Sequence, residues 1–340
     1  VKAAIPAGIG LFIAFLGLQD AKLVIPSEST GVTLASFNLL GGAGWGAVMP
    51  LIVAVFSLLL IAVLSHKKVK GSILWGILGG TGLYYILGFT VKDFYKGFAE
   101  TLSFNPFKPF SAFASEAFGK VFTEGFDFSA YLSADGHSVG GLVILFITTA
   151  LAFCMVDMFD TLGTLYGACR GGNLLVKNDK GELEVPNMDR AMMADAVATC
   201  TGSVLGTSTV TTFVESSAGV AAGGKTGVTS LVTAAAFAVA LFFAPIAKLI
   251  PPYAYGAALI YVGVLMIGSV KDIDWKDVSV SVPAFLTIAM MPFTYNISYG
   301  IAFGLFSYVI IKAFCGEIKQ IKIGTWVVTA LFVAMFFLTH

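Results

Sequence analysis

Apolar residues run almost unbroken through long blocks of this chain, joined by more polar linkers of very different length. The blocks fall at about 3–18, 46–64, 71–90, 141–166, 193–206, 227–248, 254–270, 280–296, 297–313 and 324–339. A helix that crosses the ~30 Å hydrocarbon core needs roughly 20 such residues, and a half-helix needs fewer. The pattern therefore predicts an all-α polytopic membrane protein. One stretch between blocks departs from it. Residues 206–227 carry a run of hydroxyls, a single carboxylate at Glu215 and a cluster of glycines. Its first part, Ser208 to Val214, is rich in Thr and Val and predicts an extended strand. From Glu215 the composition turns to Ala and Gly and predicts a short half-helix. Irregular backbone at membrane depth survives only where protein or a polar cavity satisfies it, so this stretch reads as a substrate site.

Composition sharpens this picture. The chain has 340 residues, of which 57% are hydrophobic and 12% charged, whereas soluble domains carry about 25% charged residues. The mean hydropathy is +0.88. Thirty-eight glycines and 11 prolines suit close helix packing and broken helices. With 20 basic and 20 acidic residues the formal net charge is zero, and no basic field argues for nucleic acid. Cys154, Cys169, Cys200 and Cys315 form no CxxC pair, and His66, His137 and His340 are isolated, so neither a disulfide framework nor a zinc site is indicated. If the linker from His66 to Lys70 is cytoplasmic and the blocks alternate, 14 of the 20 basic residues fall on the cytoplasmic side, as the positive-inside rule requires.

Two linkers are long. Residues 91–140 are Phe-rich, and Phe107, Phe110 and Phe113 recur beside Lys108, which predicts a helix lying in the membrane interface. Gly171 to Arg190 is mixed in charge and reads as a solvated cytoplasmic loop. Pro292 to Gly300 predicts a sharp reversal between two spans.

The chemistry concentrates in two places. Asp157, Asp160, Thr161 and Thr164 stand at i, i+3, i+4 and i+7, one polar stripe on a helix. Gly163 and Gly167 form a GxxxG pair that lets a neighbouring backbone approach. An ionisable residue at mid-bilayer costs at least about 2.5–3.5 kcal/mol, so these acids and Glu215 imply a function or a tight partner. Structural roles, a polar contact for the aspartates and a helix cap for Glu215, are the bland readings. Gly219 to Thr226 also matches the P-loop pattern G-x-x-x-x-G-K-[ST]. No soluble α/β context surrounds it, so its glycines are expected to end the half-helix instead.

These residues carry a resemblance. Ile5 to Gln19, Asp157 to Thr164, Thr207 to Gly227, Ala284 to Thr287 and Met291 to Tyr295 resemble the nucleobase–cation symporter family, within the nucleobase/ascorbate transporters, and specifically its adenine/guanine/hypoxanthine permease branch. The resemblance implies a seven-plus-seven inverted-repeat fold of core and gate domains. Purine would lie between two half-helices that each follow a short strand. By analogy Asp160 and Glu215 accept hydrogen bonds from purine N–H groups, with Thr164, Val214 and Ser216 around them. Asp157, Asp160 and Glu215 are the proton-coupling candidates. Family members carry about four further spans before the one that opens this sequence, so the chain is expected to be N-terminally truncated, without the first repeat's half of the site. The mapping assigns 1–90 to gate spans of the first repeat, 91–140 to an extracellular or interfacial linker, 141–248 to core spans of the second repeat, and 249–340 to its gate spans and a C-terminal hydrophobic segment.

The expectation is a multi-pass inner (plasma) membrane protein that imports a purine base by proton symport and alternating access, with no cofactor beyond the proton. Its partners would be the nucleobase, the bilayer and no nucleic acid, with a homodimer left open. An anion or carboxylate carrier of the same fold is disfavoured because Glu215 would repel such a substrate. A membrane enzyme using Asp157, Asp160 and Glu215 lacks a nearby His or nucleophile. A channel or structural subunit would bind nothing saturably.

Overall fold

A computed structural model describes residues 3–38, 44–91, 110–111, 113–133, 138–177, 183–207, 210–213, 216–243, 247 and 249–339. The helices follow the apolar blocks. They are α1 (Ala4–Asp20), α2 (Trp45–His66), α3 (Ser72–Gly88), two one-turn helices α4 (Lys120–Thr123) and α5 (Ser129–Leu132), then α6 (Val139–Gly171) and α7 (Met188–Leu205). The short α8 (Ser216–Ala221), α9 (Gly227–Phe242), α10 (Pro252–Ile267), α11 (Val278–Thr294), α12 (Ile297–Phe314) and α13 (Ile323–Thr339) complete the order. Among the described residues, three helical stretches are long and apolar enough to cross a membrane: Trp45–His66, Pro252–Asp272 and Ile297–Phe314. Five more are apolar but somewhat shorter.

Local chemistry sets the ends of these helices. Ser138 caps α6 by accepting from Gly141 N at 3.1 Å. Asn296 opens α12 by accepting from the amides of Ser298 and Tyr299. Just before it Tyr295 closes α11 in the left-handed region at φ 53°, a conformation that costs a non-glycine residue. Together they make the tight reversal that the sequence predicts at 292–300, and α11 and α12 pack along their length.

The structure departs from the sequence expectations in three places. First, α6 is 33 residues long and extends beyond its apolar block to Arg170 and Gly171, because a stripe of Asp and Thr on one face does not interrupt backbone hydrogen bonding. Second, the expected solvated loop 171–190 contains a small antiparallel ladder, β3 (Val176–Lys177) with β4 (Leu183–Glu184), and α7 starts within it at Met188. A second hairpin, β1 (Val24–Ser27) and β2 (Gly31–Leu34), turns at Gly31, whose φ is +75°. Third, the strand expected from Ser208 to Val214 is not formed by its described residues: 207 and 210–213 are irregular. Side chains, rather than a neighbouring strand, satisfy part of this backbone. The interfacial helix expected around Phe107, Phe110 and Phe113 falls mostly on residues outside those described; within it residues 110–111 are helical. Phe107 lies outside the described residues. Phe113–Ala117 is a π-helical turn, and Phe113, Phe118 and Phe122 are exposed.

The chain divides into two compact units. One comprises residues 1–9, 112–221 and 266–340. It contains α6, α7, α8, α11, α12 and α13, with the first residues of α1. In it Gly163 and Gly167 meet α1, as the GxxxG spacing predicts: a Cβ on Gly163 would fall 2.7 Å from Ile5 and 2.6 Å from Ile9. The π-helical turn also docks here, with Gly119 N donating to Val204 O at 3.1 Å. The other unit comprises residues 10–111 and 222–265. Its core gathers Ala21, Leu23, Leu51, Ala54 and Ile260. There α1 and α10 approach so closely that a Cβ on Gly17 would stand 2.6 Å from Gly256 O.

Candidate substrate site

The polar stripe of α6 faces α7 and the irregular segment 210–213. Thr161 is fully buried and donates from Oγ1 to Asp195 Oδ2 at 2.7 Å. The same hydroxyl lies 3.1 Å from Thr211 Oγ1, and Thr211 Oγ1 in turn donates to Asp160 Oδ2 at 3.4 Å. Thr212 Oγ1 donates to the other Asp195 oxygen at 3.3 Å. Thr199, one turn along α7 from Asp195, donates to Val210 O at 2.7 Å. The irregular segment is thus pinned by hydroxyls from two helices, a way for non-helical backbone to persist among membrane helices.

Three carboxylates converge on this network. Asp157 lies beside Thr199 and the Asp195 carboxylate, and its Oδ1 is buried without a hydrogen-bond partner among the described residues. Thr164 is 1% exposed, and its Oγ1 likewise has no partner among them. Buried polar atoms are normally paired, so this face has hydrogen-bonding capacity left for a ligand or a proton. Among the described residues, no cluster of three or more His, Cys, Asp or Glu could hold a metal ion.

The predicted site residues therefore divide. Asp157, Asp160 and Thr164 share one helix face beside the irregular segment. Ser216 opens α8 and is exposed, its amide donating to Phe213 O at 3.2 Å. Val214 and Glu215 lie outside the described residues. The half-helix expected from Glu215 is present as α8, and it packs against α6. A Cβ on Gly172 would stand 2.1 Å from Val220 Cγ1, so the end of α6 stays bare where α8 rests on it. Of the P-loop-like residues, Gly219 lies within this helix, Gly223 follows it with φ +107°, and Thr226 precedes α9. A P-loop would need a strand before its glycines.

Asp195 was not legible as a site residue. It sits near the start of the block 193–206, where an acid reads as a solvated helix end. The signal that could have found it is the argument applied to Asp157: an ionisable residue flanked by Ala194, Ala196 and Val197 needs a partner.

Residues 1–303 match a family described as a permease family, of the xanthine/uracil type. A protein of Methanocaldococcus jannaschii named as a permease is 38% identical over 99% of this chain and 68% of its own length. The guanine/hypoxanthine permease PbuO of Bacillus subtilis is 36% identical over 99% of this chain and 70% of its own. The adenine permease AdeQ of Escherichia coli is 32% identical over 98% of this chain and 66% of its own. The chain thus spans about two thirds of the length of these relatives. An apolar helical chain with a half-buried polar network, matched along most of its length, belongs to this nucleobase/ascorbate transporter family of membrane permeases and is not an enzyme.

Proposed function

We propose that this permease carries a purine nucleobase across the cytoplasmic membrane together with a proton. The observation that carries the reading is the half-buried network of Asp160, Thr211, Thr161 and Asp195. Beside it on α6, Asp157 Oδ1 and Thr164 Oγ1 are buried without a hydrogen-bond partner among the described residues. A neutral purine offers ring N–H donors to such acceptors, and relatives named as adenine or guanine/hypoxanthine permeases support that substrate class.

In this reading Asp160 and Glu215 accept from the purine ring, with Thr164, Val214 and Ser216 beside it. Asp195 acts as a positioning residue: through Thr161 and Thr212 it sets the segment that leads to Glu215. Asp157, Asp160 and Glu215 are the candidates for the coupling proton, as ionisable residues set among membrane helices. Alternating access would come from core spans moving against gate spans in a seven-plus-seven inverted-repeat arrangement. The assignments made from the sequence, 1–90 and 249–340 to the gate and 141–248 to the core, are part of this proposal.

The test is uptake of radiolabelled hypoxanthine, guanine and adenine by cells expressing the protein, alongside Asp160→Asn and Glu215→Gln variants. Saturable uptake that either substitution abolishes, and that a proton uncoupler collapses, is the expected result. Uptake that survives the uncoupler would remove the proton from the mechanism. Uptake indifferent to both substitutions would remove these acids from the site.

A further inference from the structure

A cavity lies in the unit of residues 1–9, 112–221 and 266–340, on the flank of α6 away from the carboxylates. Its volume is about 640 Å³, within the range of about 300–1,000 Å³ typical of small-molecule sites. Leu162, Gly163 and Tyr166 contribute from α6. On a helix of about 3.6 residues per turn these stand roughly half a turn from Asp160, Thr161 and Thr164. The cavity is therefore not the carboxylate site.

Its lining has two characters. Part of the wall is hydrocarbon, from Ile5, Leu162, Ile301 and Leu305. The remainder carries two phenols, Tyr166 and Tyr308, with the carboxylate of Glu184 and the ammonium of Lys322. These groups share one end of their elements. Tyr166 is a turn from Arg170 near the end of α6, Tyr308 is a turn from Lys312 near the end of α12, and Lys322 directly precedes α13. That end collects Arg170, Lys312, Lys319 and Lys322, and so is the cytoplasmic one by the positive-inside rule. Tyrosine and lysine at this level are the residues that meet lipid headgroups.

We propose that the cavity binds a zwitterionic aminophospholipid of the cytoplasmic leaflet, such as phosphatidylethanolamine. One acyl chain lies along Leu162, Ile301 and Leu305. Lys322 meets the phosphate, and Glu184 accepts from the ammonium. An anionic lipid would match Lys322 but set its charge against Glu184. A free purine would leave the hydrocarbon wall uncovered.

The test uses purified protein reconstituted in phosphatidylcholine vesicles doped with phosphatidylethanolamine that carries a photoactivatable acyl chain. Crosslinked peptides are mapped by mass spectrometry. Labelling is expected to concentrate at 162–166 and 301–308, and to be competed by unlabelled phosphatidylethanolamine more strongly than by phosphatidylglycerol. Lys322→Ala is expected to lower it about fivefold, the worth of one basic side chain at a membrane surface. Leu305→Trp, which fills the hydrocarbon end, is expected to lower it as well. The exposed Lys322 can be truncated without disturbing packing, so a folding defect in the Leu305 variant leaves the test intact. Equal competition by phosphatidylglycerol, displacement by hypoxanthine, labelling spread evenly onto the exposed face of α9, or labelling unchanged in Lys322→Ala would overturn the proposal.

Discussion

Thr161→Val tests the carboxylate network at its most buried point. The side chain is fully buried, and valine keeps its branched shape while removing the hydroxyl. Two contacts go with it, the 2.7 Å bond to Asp195 and the 3.1 Å contact with Thr211. Interhelical hydrogen bonds in membrane proteins average about 0.6 kcal/mol, so two come to about 1.2 kcal/mol, roughly eightfold in an equilibrium constant. The loss falls on the arrangement that holds 210–212 against α6, so it is expected as an eightfold weakening of hypoxanthine binding with a lowered melting temperature. Thr161→Ser keeps the hydroxyl and is expected to hold both near wild type. The measurement is isothermal titration together with thermal unfolding of the detergent-purified protein. A double-mutant cycle with Asp195→Asn should be less than additive, because both changes remove one shared bond. Valine and serine variants that behave alike, or a strictly additive cycle, would refute the network as the organiser of the site.

Other expectations follow from elsewhere in the structure. A Cβ on Gly17 would stand 2.6 Å from Gly256 O and 2.8 Å from Ile260 N; both are backbone atoms that cannot rotate away. Gly17→Ala is therefore expected to destabilise the protein by about 1–3 kcal/mol in thermal unfolding, while Gly324→Ala, with nothing within 4 Å, should be near neutral. Asp277 caps α11 through the amide of Ser279 at 2.8 Å, and this bonding holds its carboxyl below the ordinary range. A depressed native pKa means stability that is present above the unfolded value and is lost as pH falls through the folded one. The melting temperature of wild type should therefore drop relative to Asp277→Asn on acidification below about pH 4, and parallel curves would show that the cap contributes nothing through its charge. Arg170 at the end of α6 pairs with Asp272. Arg170→Asp alone should lower stability and Asp272→Arg combined with it should recover part of the loss; no recovery would mean the pair is incidental.

What the sequence disclosed and what it hid divide along a physical line. Helix positions and the GxxxG approach of α6 to α1 were legible because each is a local pattern: apolar blocks of span length, and small residues four apart. The stripe of Asp157, Asp160 and Thr164 was legible for the same reason. The part that was not legible is pairing across elements. Nothing local to Thr161 says that its hydroxyl meets an acid 34 residues away, and nothing local to Val210 says that its carbonyl is taken by Thr199. The Thr- and Val-rich composition of 208–214 was read as strand propensity, yet such a preference reflects side-chain packing on a sheet surface, and no described strand is available beside it. In the irregular segment those threonines do other work: Thr211 and Thr212 aim hydroxyls at Asp160 and Asp195. The same residues that suggested a strand are the ones whose hydroxyls reach the carboxylates, so the composition reflected pairing across elements rather than a strand. A hydroxyl-rich stretch between membrane helices is then better searched for acids on neighbouring helices than for a strand partner, and that search would have led to Asp195.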